Sequence, residues 1–390
     1  MDLFALSREV EQYVIDMRRE FHANPEISYQ EERTTARIRE ELESMGIPYE
    51  IVGSGNVVGL LDTGRPGKSL AIRADIDALP MDEENKALSY CSTVPGVMHS
   101  CGHDGHAAML LGTAKILSRI RDELRGKVYF CFQVAEEVGG GAPEIVEYLK
   151  SIGGVDAAIG THLDGNSETG TIYLPDGPLM AGVYMFDIRV KGVGGHGSRP
   201  DKCIDPIKPA CDILLKIASI PAQYHNPFDT CVISPCQIHA GSANNIVPEE
   251  AVIGGNIRFF RYGDAEKLLS RIRLIAENTA AAYGTTAELS YTSASSVPVI
   301  NTPEMAALGR KAAEKVGFTL APPHDPTCGS DNFAEFVAAF PGFFCDTGAR
   351  CHREGASGNH HNPRFDLDET AFRRVVEFFA TFTADYLGGE

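Results

Sequence analysis

Short apolar runs alternate with amphipathic helical stretches in the first half of this sequence, and this alternation limits the folds open to the chain. Strand-like runs at 69–77, 126–133 and 155–163 are separated by helix-like stretches at 106–120 and 142–152. Strands joined through helices lie parallel, and a parallel sheet needs helices on both faces. The sequence therefore predicts an α/β fold built on a mainly parallel sheet.

The pattern of the sequence changes after residue 182. Residues 183–294 follow the order strand, helix, strand, strand, helix, strand, which is that of a small ferredoxin-like βαββαβ domain. A linker and further helical segments come after it. We therefore predict one domain made of residues 1–182 and 295–390, and a second domain, 183–294, inserted into it.

Charge and hydropathy exclude two classes of partner. The net charge is −18, from 53 acidic and 35 basic residues, whereas nucleic acids and anionic membranes are bound by basic faces. No run is long enough to span a bilayer, and residues 1–14 lack the basic start and apolar core of a signal peptide. We expect a cytoplasmic protein that binds a small molecule and neither nucleic acid nor membrane.

The segment MHSCGHDGH concentrates side chains that bind metals. Its potential ligands are His99, Cys101, His103, Asp104 and His106. Thiolate, imidazole and carboxylate groups suit zinc and its first-row neighbours. Alternatively, Asp104 caps the following helix and the histidines are ordinary core or surface residues. The density of ligand types in so short a segment favours a metal site.

Other polar residues follow the predicted strands at the edge where parallel sheets bind ligands. Asp75 and Asp77 end one strand, and His162 ends another. Glu136 and Glu137 come after a third, before three glycines. Adjacent carboxylates repel unless cations or protons compensate. One of this pair could bind metal while the other takes a proton from an attacking water, although the pair could also be a solvated loop.

His360 and His361 form a late histidine pair before NPRFDLDE. Such a pair can be a solvated turn. In a chain that needs one more outer ligand for its metal site, it is also the natural late donor. The sequence does not choose between these two interpretations.

The combined motifs resemble the metal-dependent aminoacylase and carboxypeptidase superfamily. The branch they resemble contains hippurate hydrolase, indole-acetyl-amino-acid hydrolases and aminobenzoyl-glutamate hydrolase. The resemblance covers nearly the whole chain. Its motifs are IRADIDALPM, MHSCGHDGH, FQVAEE, THL, GGHGSRPD, GSANNIVPEEA and HHNPRFDLDE.

The resemblance implies a hydrolase with two divalent metal ions per subunit. Thiolate, imidazole and carboxylate ligands permit zinc, manganese, cobalt or nickel. The implied ligands are Cys101, His103, Glu137, His162 and His361. Glu136 would be the general acid and base, and His196 would polarise the scissile carbonyl.

The resemblance also implies where the substrate lies and how the chain assembles. Residues 183–294 would form a lid and a homodimer interface. The side chains and backbone that would hold the substrate belong to Asn244, Asn245, Arg258, Gly329 and Ser330. The expected reaction cleaves the amide bond of N-acyl amino acids or small peptide-like conjugates. A metallo-dipeptidase or a carboxypeptidase acting on short peptides is the alternative.

Three positions depart from the wider pattern. The superfamily has His-x-Asp where this chain has Asp75 and Asp77, so Asp75 is not clearly a ligand. Cys101 and His103 stand in place of the usual bridging aspartate region, so the group that bridges the metals stays open. After His162 the branch has a bulky residue and proline, where this chain has Leu163, Asp164 and Gly165. That aspartate could select a cationic substrate, but exposure to solvent is the favoured interpretation because loop aspartates are mostly exposed.

Two other classes of function compete with a metallohydrolase. In the first, Cys101 is a nucleophile with His103 or His106 as its base, a mechanism that would survive chelators and fail after thiol alkylation. In the second, the chain binds metal or peptide without turnover. The paired glutamates have no role in the first and no need to be retained in the second.

Overall fold

The computed structural model describes residues 2–388. The helices are α1 (Leu3–Ala23), α2 (Glu32–Ser44), α3 (His103–Arg119), α4 (Ala142–Ser151), α5 (Ile207–Ile217), α6 (Ile220–Tyr224), α7 (Asp264–Ala282), α8 (Pro303–Lys315), α9 (Ala334–Ala339) and α10 (Thr370–Leu387). The strands are β1 (Tyr49–Val52), β2 (Asn56–Asp62), β3 (Ser69–Asp75), β4 (Lys127–Gln133), β5 (Ala157–Asp164), β6 (Thr171–Tyr173), β7 (Gly177–Met180), β8 (Gly182–Lys191), β9 (Gly195–His196), β10 (Cys231–Ala240), β11 (Ile246–Val247), β12 (Glu250–Phe259), β13 (Thr286–Ser295), β14 (Val299–Asn301), β15 (Thr319–Leu320) and β16 (Gly342–Gly348). Within the described residues, none of these helices has both the length and the apolar composition that crossing a membrane requires.

The larger of two compact units contains residues 2–179, 300–325 and 335–388. Its sheet has eight strands in the order β1-β2-β4-β3-β5-β16-β6-β15. The central strands β4, β3, β5 and β16 pair in parallel, and antiparallel pairs lie outside them. The α/β class with a mainly parallel sheet is thereby confirmed.

Burial of strand β3 and close helix packing explain this unit's core. Six of the seven residues of β3 are buried, as expected of a parallel strand with helices on both faces. Val14 of α1, Leu110 of α3 and Val376 of α10 share one buried core. Gly112 lets these helices approach, because a Cβ there would lie 2.5 Å from a methyl carbon of Val14.

The smaller unit contains residues 180–299 and 326–334. Its antiparallel sheet has the order β10-β12-β8-β13, and the chain follows the βαββαβ pattern with the short α6 added. Ile213 of α5, Ile253 of β12 and Ile272 of α7 share its core. Residues 326–334, which lie outside the predicted insertion, join this unit.

Candidate metal centre

The carboxyl ends of neighbouring parallel strands gather the polar residues of the larger unit. Strands β4, β3 and β5 are adjacent and parallel, so the segments that follow them emerge at one edge of the sheet. Glu136 and Glu137 follow β4, and His162 lies near the end of β5. Helix α3 begins at His103, and Cys101 lies in the loop just before it at the same edge.

Two possible donor sets share Cys101. The ligand atoms of Cys101, His103 and Glu137 all lie within 4.8 Å of one another, and so do those of Cys101, His162 and His360. The Cys101 Sγ atom is 3.5 Å from Nε2 of His162. A thiolate at this position lies between two places that could each hold a cation.

Unused ring nitrogens at the site fit a divalent cation. Within residues 2–388, Nε2 of His103 and Nδ1 of His360 are buried and make no hydrogen bond. A buried nitrogen without a partner is costly unless it serves as a ligand. The opposite nitrogen of His103 contacts Asp77, at 2.9 Å from its carbonyl oxygen and 3.1 Å from Oδ1. Outer contacts of this kind orient metal-bound imidazoles.

Both members of the histidine pair lie at the site, whereas the sequence identified His361 alone as a ligand. Nε2 of His361 is 3.3 Å from Oε1 of Glu137. Its backbone adopts a positive φ of 58°, and its N–H donates to the Ser100 carbonyl at 2.8 Å. His360 instead lies with Cys101 and His162. The motif signals a donor here, but only the backbone conformation shows that both rings face the site.

Asp75 and His106 form a third possible donor set with His103, but both nitrogens of His106 already have partners. Nδ1 of His106 is 2.6 Å from Asp75 Oδ1, and its Nε2 accepts the Leu163 N–H at 3.0 Å. The other Asp75 oxygen lies 2.6 Å from Nη1 of Arg73. These contacts make His106 a brace between β3 and β5, and they leave it no nitrogen for a metal.

Asp104 does not cap α3. Gly102 occupies the N-cap position with φ +97°, and no side chain caps the helix. Asp104 lies in the first turn, where its Oδ2 is 2.9 Å from Nε of Arg18 and 2.7 Å from Nδ1 of His22. The interpretation of Asp104 as a cap is therefore wrong, because a buried arginine in α1 provides a stronger partner than the helix terminus.

Arg18 is fully buried and binds carboxylates from distant parts of the chain. It lies 2.9 Å from Asp104, 3.4 Å from Asp366 and 3.2 Å from Glu369. These contacts link the segment that carries Cys101 to the segment that follows His361.

His99 belongs to neither of the donor sets that share Cys101. Its buried ring lies 6.4 Å from that of His22, and burial lowers its pKa to about 4.

Burial and neighbouring carboxylates act on the histidine donors in opposite directions in the protein alone. Burial raises the pKa of the Cys101 thiol well above its ordinary value, and it lowers the pKa of His360 to about 4. Burial also acts to lower the pKa of His103, but the nearby Asp75 carboxylate raises it well above its ordinary value, and the bond to Glu137 raises the pKa of His361. Burial, with the neighbouring His106, also lowers the pKa of His162. Neutral imidazoles are the form that binds cations. A thiol that resists ionisation is a poor nucleophile without a cation beside it, which weighs against the cysteine mechanism.

The paired glutamates lie on a tight corner after β4. Ala135 has left-handed backbone angles, φ 57° and ψ 38°, and Glu136 and Glu137 begin the 3₁₀ turn Glu136–Val138. The Glu137 N–H donates to Asp77 Oδ2 at 3.0 Å. Gly141 closes the corner with φ +70°, where a Cβ would lie 2.2 Å from the Val134 carbonyl oxygen. Both glutamates are half-buried.

Asp164 turns the chain at the end of β5. Its Oδ1 accepts the Asn166 N–H at 2.9 Å, and its Oδ2 accepts the Ser167 hydroxyl. The side chain is half-buried rather than exposed. These bonds give it a local structural role.

The smaller unit brings together two of the predicted substrate-binding segments. His196 in β9 pairs with Ile246 in β11, and the Gly197 N–H donates to the Asn245 carbonyl at 2.7 Å. His196, Asn244 and Asn245 are exposed. Nδ1 of His196 accepts the Ser198 N–H at 3.1 Å and lies 2.8 Å from the Ser198 hydroxyl oxygen, so the ring is held by its own loop.

A second group in the smaller unit surrounds Arg258. Its Nη1 donates to the Cys328 carbonyl at 2.8 Å. Gly329 follows directly and accepts the Ala181 N–H at 2.9 Å, and Ser330 is half-buried. Arg258, Gly329 and Ser330 are therefore local neighbours, although they are distant in sequence.

A buried set of thiolate, imidazole and carboxylate donors, with a second carboxylate beside it at the edge of a parallel sheet, defines a metal-dependent hydrolase. The chain belongs to peptidase family M20/M25/M40, whose sequence model matches residues 71–385. The predicted superfamily is thereby confirmed.

Individual relatives agree with this assignment. The chain is 36% identical over 371 residues to thermostable carboxypeptidase 1 of Saccharolobus solfataricus, covering 94% of this chain and 93% of that protein. It is 45% identical over 254 residues to an N-acyl-L-amino acid amidohydrolase of Geobacillus stearothermophilus, covering 65% and 68%. The crystal structure of the Bacillus subtilis YXEP protein, described as a dinuclear metal binding peptidase, matches with TM-score 0.83 and 33% identity, covering 97% and 99%.

Proposed function

We propose that this chain hydrolyses the amide bond of N-acyl amino acids with two divalent cations. The observation that most supports this proposal is that Cys101 belongs both to the donor set with His103 and Glu137 and to the set with His162 and His360. The amidohydrolase named among the relatives supports the substrate class, and the dinuclear neighbour supports two cations. The proposed ligands are Cys101, His103, Glu137, His162 and His361.

Bound cations would lower the pKa of water and polarise the amide carbonyl. Glu136 would take the proton from the attacking water and later pass it to the leaving amine. Its neighbour Glu137 is a proposed ligand, so the corner after β4 would place a base directly beside a cation. Asp77 would hold the His103 ring with Nε2 towards the cation.

The identity and exact partners of the cations are part of the proposal. Zinc, manganese, cobalt and nickel all suit thiolate, imidazole and carboxylate donors. Cys101 belongs to two of the possible donor sets, so its thiolate would be available to cations held on either side of it. His361 is the proposed late ligand because it lies 3.3 Å from Glu137, and His360 is a further donor on the His162 side.

The smaller unit would bind the substrate. Arg258 would pair with the free carboxylate, since a guanidinium binds carboxylates in a bidentate manner. His196 would polarise the scissile carbonyl, with Asn244, Asn245, Gly329 and Ser330 as further contacts. The resemblance to the aminoacylase branch also leads us to propose that residues 183–294 act as a lid and dimer interface in a cytoplasmic homodimer.

A carboxypeptidase acting on short peptides is the second candidate. It is favoured by the likeness to the Saccharolobus solfataricus carboxypeptidase, which extends over 94% of this chain. Both reactions cleave an amide next to a free carboxylate, so the same residues would serve either. They differ in whether the acyl side is a simple acyl group or a peptide.

The test is hydrolysis of a panel of N-acetyl, N-benzoyl and indole-acetyl amino acids together with dipeptides. It uses native protein, metal-stripped protein, metal-resupplied protein and the variants Glu136→Gln and Glu147→Gln. Turnover should vanish on chelation, return with a divalent metal and fall at least ~10²-fold in Glu136→Gln. Glu147 is exposed on α4, so its variant should behave as the native protein.

The outcomes separate the competing functions. Activity that survives chelation but not thiol alkylation would replace the metal mechanism with the Cys101 nucleophile. Full activity in Glu136→Gln with complete dependence on metal would remove Glu136 as the base. Preference for dipeptides over every N-acyl amino acid would favour the carboxypeptidase.

A further inference from the structure

We infer that Glu31 is a positioning residue that holds the corner bearing Glu136 and Glu137 in its left-handed conformation. The inference rests on the proposed function for the roles of those two glutamates. Glu31 lies far from them in sequence, in the loop before α2. The proposed chemistry gives it no role.

Glu31 occupies the N-cap position of α2, but its side chain does not cap the helix. Glu26 does so instead, because its carboxylate accepts the Arg33 N–H at 3.0 Å and the Thr34 N–H at 2.8 Å. The Glu31 residue is only 3% exposed. A buried carboxylate that is not used by its own helix is expected to serve another segment.

That segment is the corner after β4. The Ala135 N–H donates to Glu31 Oε1 at 2.7 Å, and the Ala135 carbonyl accepts the Gly140 N–H, also at 2.7 Å. Ala135 is fully buried and has φ +57°. This conformation is unfavourable for a residue with a Cβ and persists only when its surroundings impose it. Without Glu31, the Ala135 N–H would be buried with no acceptor.

The loop that carries Glu31 contacts the corner at two further points. Tyr29, two residues earlier, lies over Gly140, where a Cβ would be 2.2 Å from the Tyr29 hydroxyl oxygen. Ser28 donates to Asp77 Oδ2 at 2.7 Å, and the same oxygen accepts the Glu137 N–H at 3.0 Å. Residues 28–31 therefore fix the corner on both sides of Glu136.

Backbone strain marks the same region. Within residues 2–388, the only non-glycine residues with positive φ are Tyr29, Ala135 and His361. Tyr29 contacts the corner, Ala135 precedes the proposed base, and His361 is a proposed ligand. Strained residues that gather at one site are retained for the geometry they impose there. The structure assigns Glu31 the task of stabilising this geometry at Ala135.

The experiment compares four variants with the native protein. Glu31→Ala removes the acceptor, and Glu31→Gln keeps an oxygen that can accept. Glu31→Ala combined with Ala135→Gly removes the acceptor but also removes the Cβ that disfavours positive φ. Glu32→Ala is the matched control, since Glu32 is the exposed next residue. The measurements are zinc affinity of the metal-free protein by calorimetry, and kcat and KM at saturating metal.

Glu31→Ala should weaken zinc binding by ~10-fold to 100-fold, as outer contacts to metal ligands commonly do. Its kcat should fall at least as far, while KM stays within about 2-fold, because the corner carries the base and not the substrate contacts. Glu31→Gln should remain close to native. Adding Ala135→Gly should restore most of both losses, which a general loss of stability would not allow.

Unchanged zinc affinity and kcat in Glu31→Ala would overturn the inference. Losses that Ala135→Gly fails to restore would also overturn it, since they would show that Glu31 does not act through the Ala135 conformation. The proposed function fails separately, if the native protein hydrolyses no amide in the panel. In that case the zinc affinities still decide whether Glu31 positions Glu137.

Discussion

Oδ1 of Asp77 lies 3.1 Å from Nδ1 of His103, and Oδ2 of the same carboxylate accepts the Glu137 N–H at 3.0 Å. One side chain therefore sets the ring of one proposed ligand and the backbone of another. His103 should hold its Nδ1 proton towards Asp77, which leaves Nε2 for a cation. Burial would raise the pKa of Asp77, but the bonds from His103 and Ser28 hold it below its ordinary value.

Replacing Asp77 by alanine should weaken metal binding by ~10-fold to 100-fold, because both proposed ligands lose an orienting contact. Calorimetric titration of the metal-free protein with zinc measures this. Asp122→Ala is the control, because Asp122 is exposed in the turn after α3. Equal affinities in the two variants would contradict an orienting role for Asp77.

Replacing Cys101 by alanine should remove metal from both positions, because the thiol belongs to both donor sets. Replacing His162 by alanine should affect only one. Counting metal equivalents per chain by elemental mass spectrometry after dialysis distinguishes these results. A Cys101→Ala protein that keeps as much metal as His162→Ala would show that the thiol does not serve both donor sets.

Replacing His106 by phenylalanine should destabilise the fold rather than remove a ligand. The change leaves an Asp75 oxygen and the Leu163 N–H buried without their partner, and each such loss costs about 1–3 kcal/mol. Denaturant unfolding of the metal-free protein gives the change in the free energy of unfolding. His352, which is exposed, provides the control substitution His352→Phe. Unaltered stability in His106→Phe would exclude the bracing role.

Replacing Arg18 by methionine should lower the free energy of unfolding by about 3–5 kcal/mol, since it leaves buried carboxylates unpaired. Arg19 is 42% exposed and, among the carboxylates of residues 2–388, contacts Glu369 alone, so Arg19→Met should cost less than about 1 kcal/mol. Urea unfolding of both variants tests the difference. Similar losses in the two would mean that burial adds nothing to the Arg18 contacts.

The pH dependence of stability should carry a contribution from Glu31. Burial raises the pKa of this carboxyl from 4.5 to about 7. Between these values the folded state binds more protons than the unfolded state, so the free energy of unfolding falls as pH rises. Native protein should lose stability relative to Glu31→Gln from pH 4.5 to 7 in metal-free unfolding experiments. A constant difference across this range would show that the pKa of Glu31 is not raised.

The sequence predicted the fold class and the location of the chemistry because both depend on local patterns. Strand and helix periodicity indicated the parallel sheet, and polar residues at strand ends indicated its reactive edge. Strand β16, which lies between β5 and β6, was missed. Its short apolar run lies between glycines and is not followed directly by a helix-like stretch, which was the pattern that marked the other parallel strands. Strands β1 and β2 were missed as well.

The roles of individual polar residues could not be predicted in the same way. Asp104 has the sequence context of a helix cap, yet its partner is Arg18, 86 residues away. His106 has the same residue type and motif as His103, and only the contacts of both its nitrogens show that it braces the sheet. Such roles depend on tertiary neighbours that no local spacing reveals.

The contact between Arg18 and Glu369 joins residues 351 positions apart in the chain. During synthesis, α1 leaves the ribosome long before two of its partner carboxylates, those of Asp366 and Glu369, exist. Arg18 therefore lacks its full set of partners until residue 369 is made. The late histidines, His360 and His361, are made only slightly earlier. We expect a nascent chain that ends before residue 360 to lack the late donors and the full set of partners for Arg18, so loading with metal should follow the synthesis of residues 360–369.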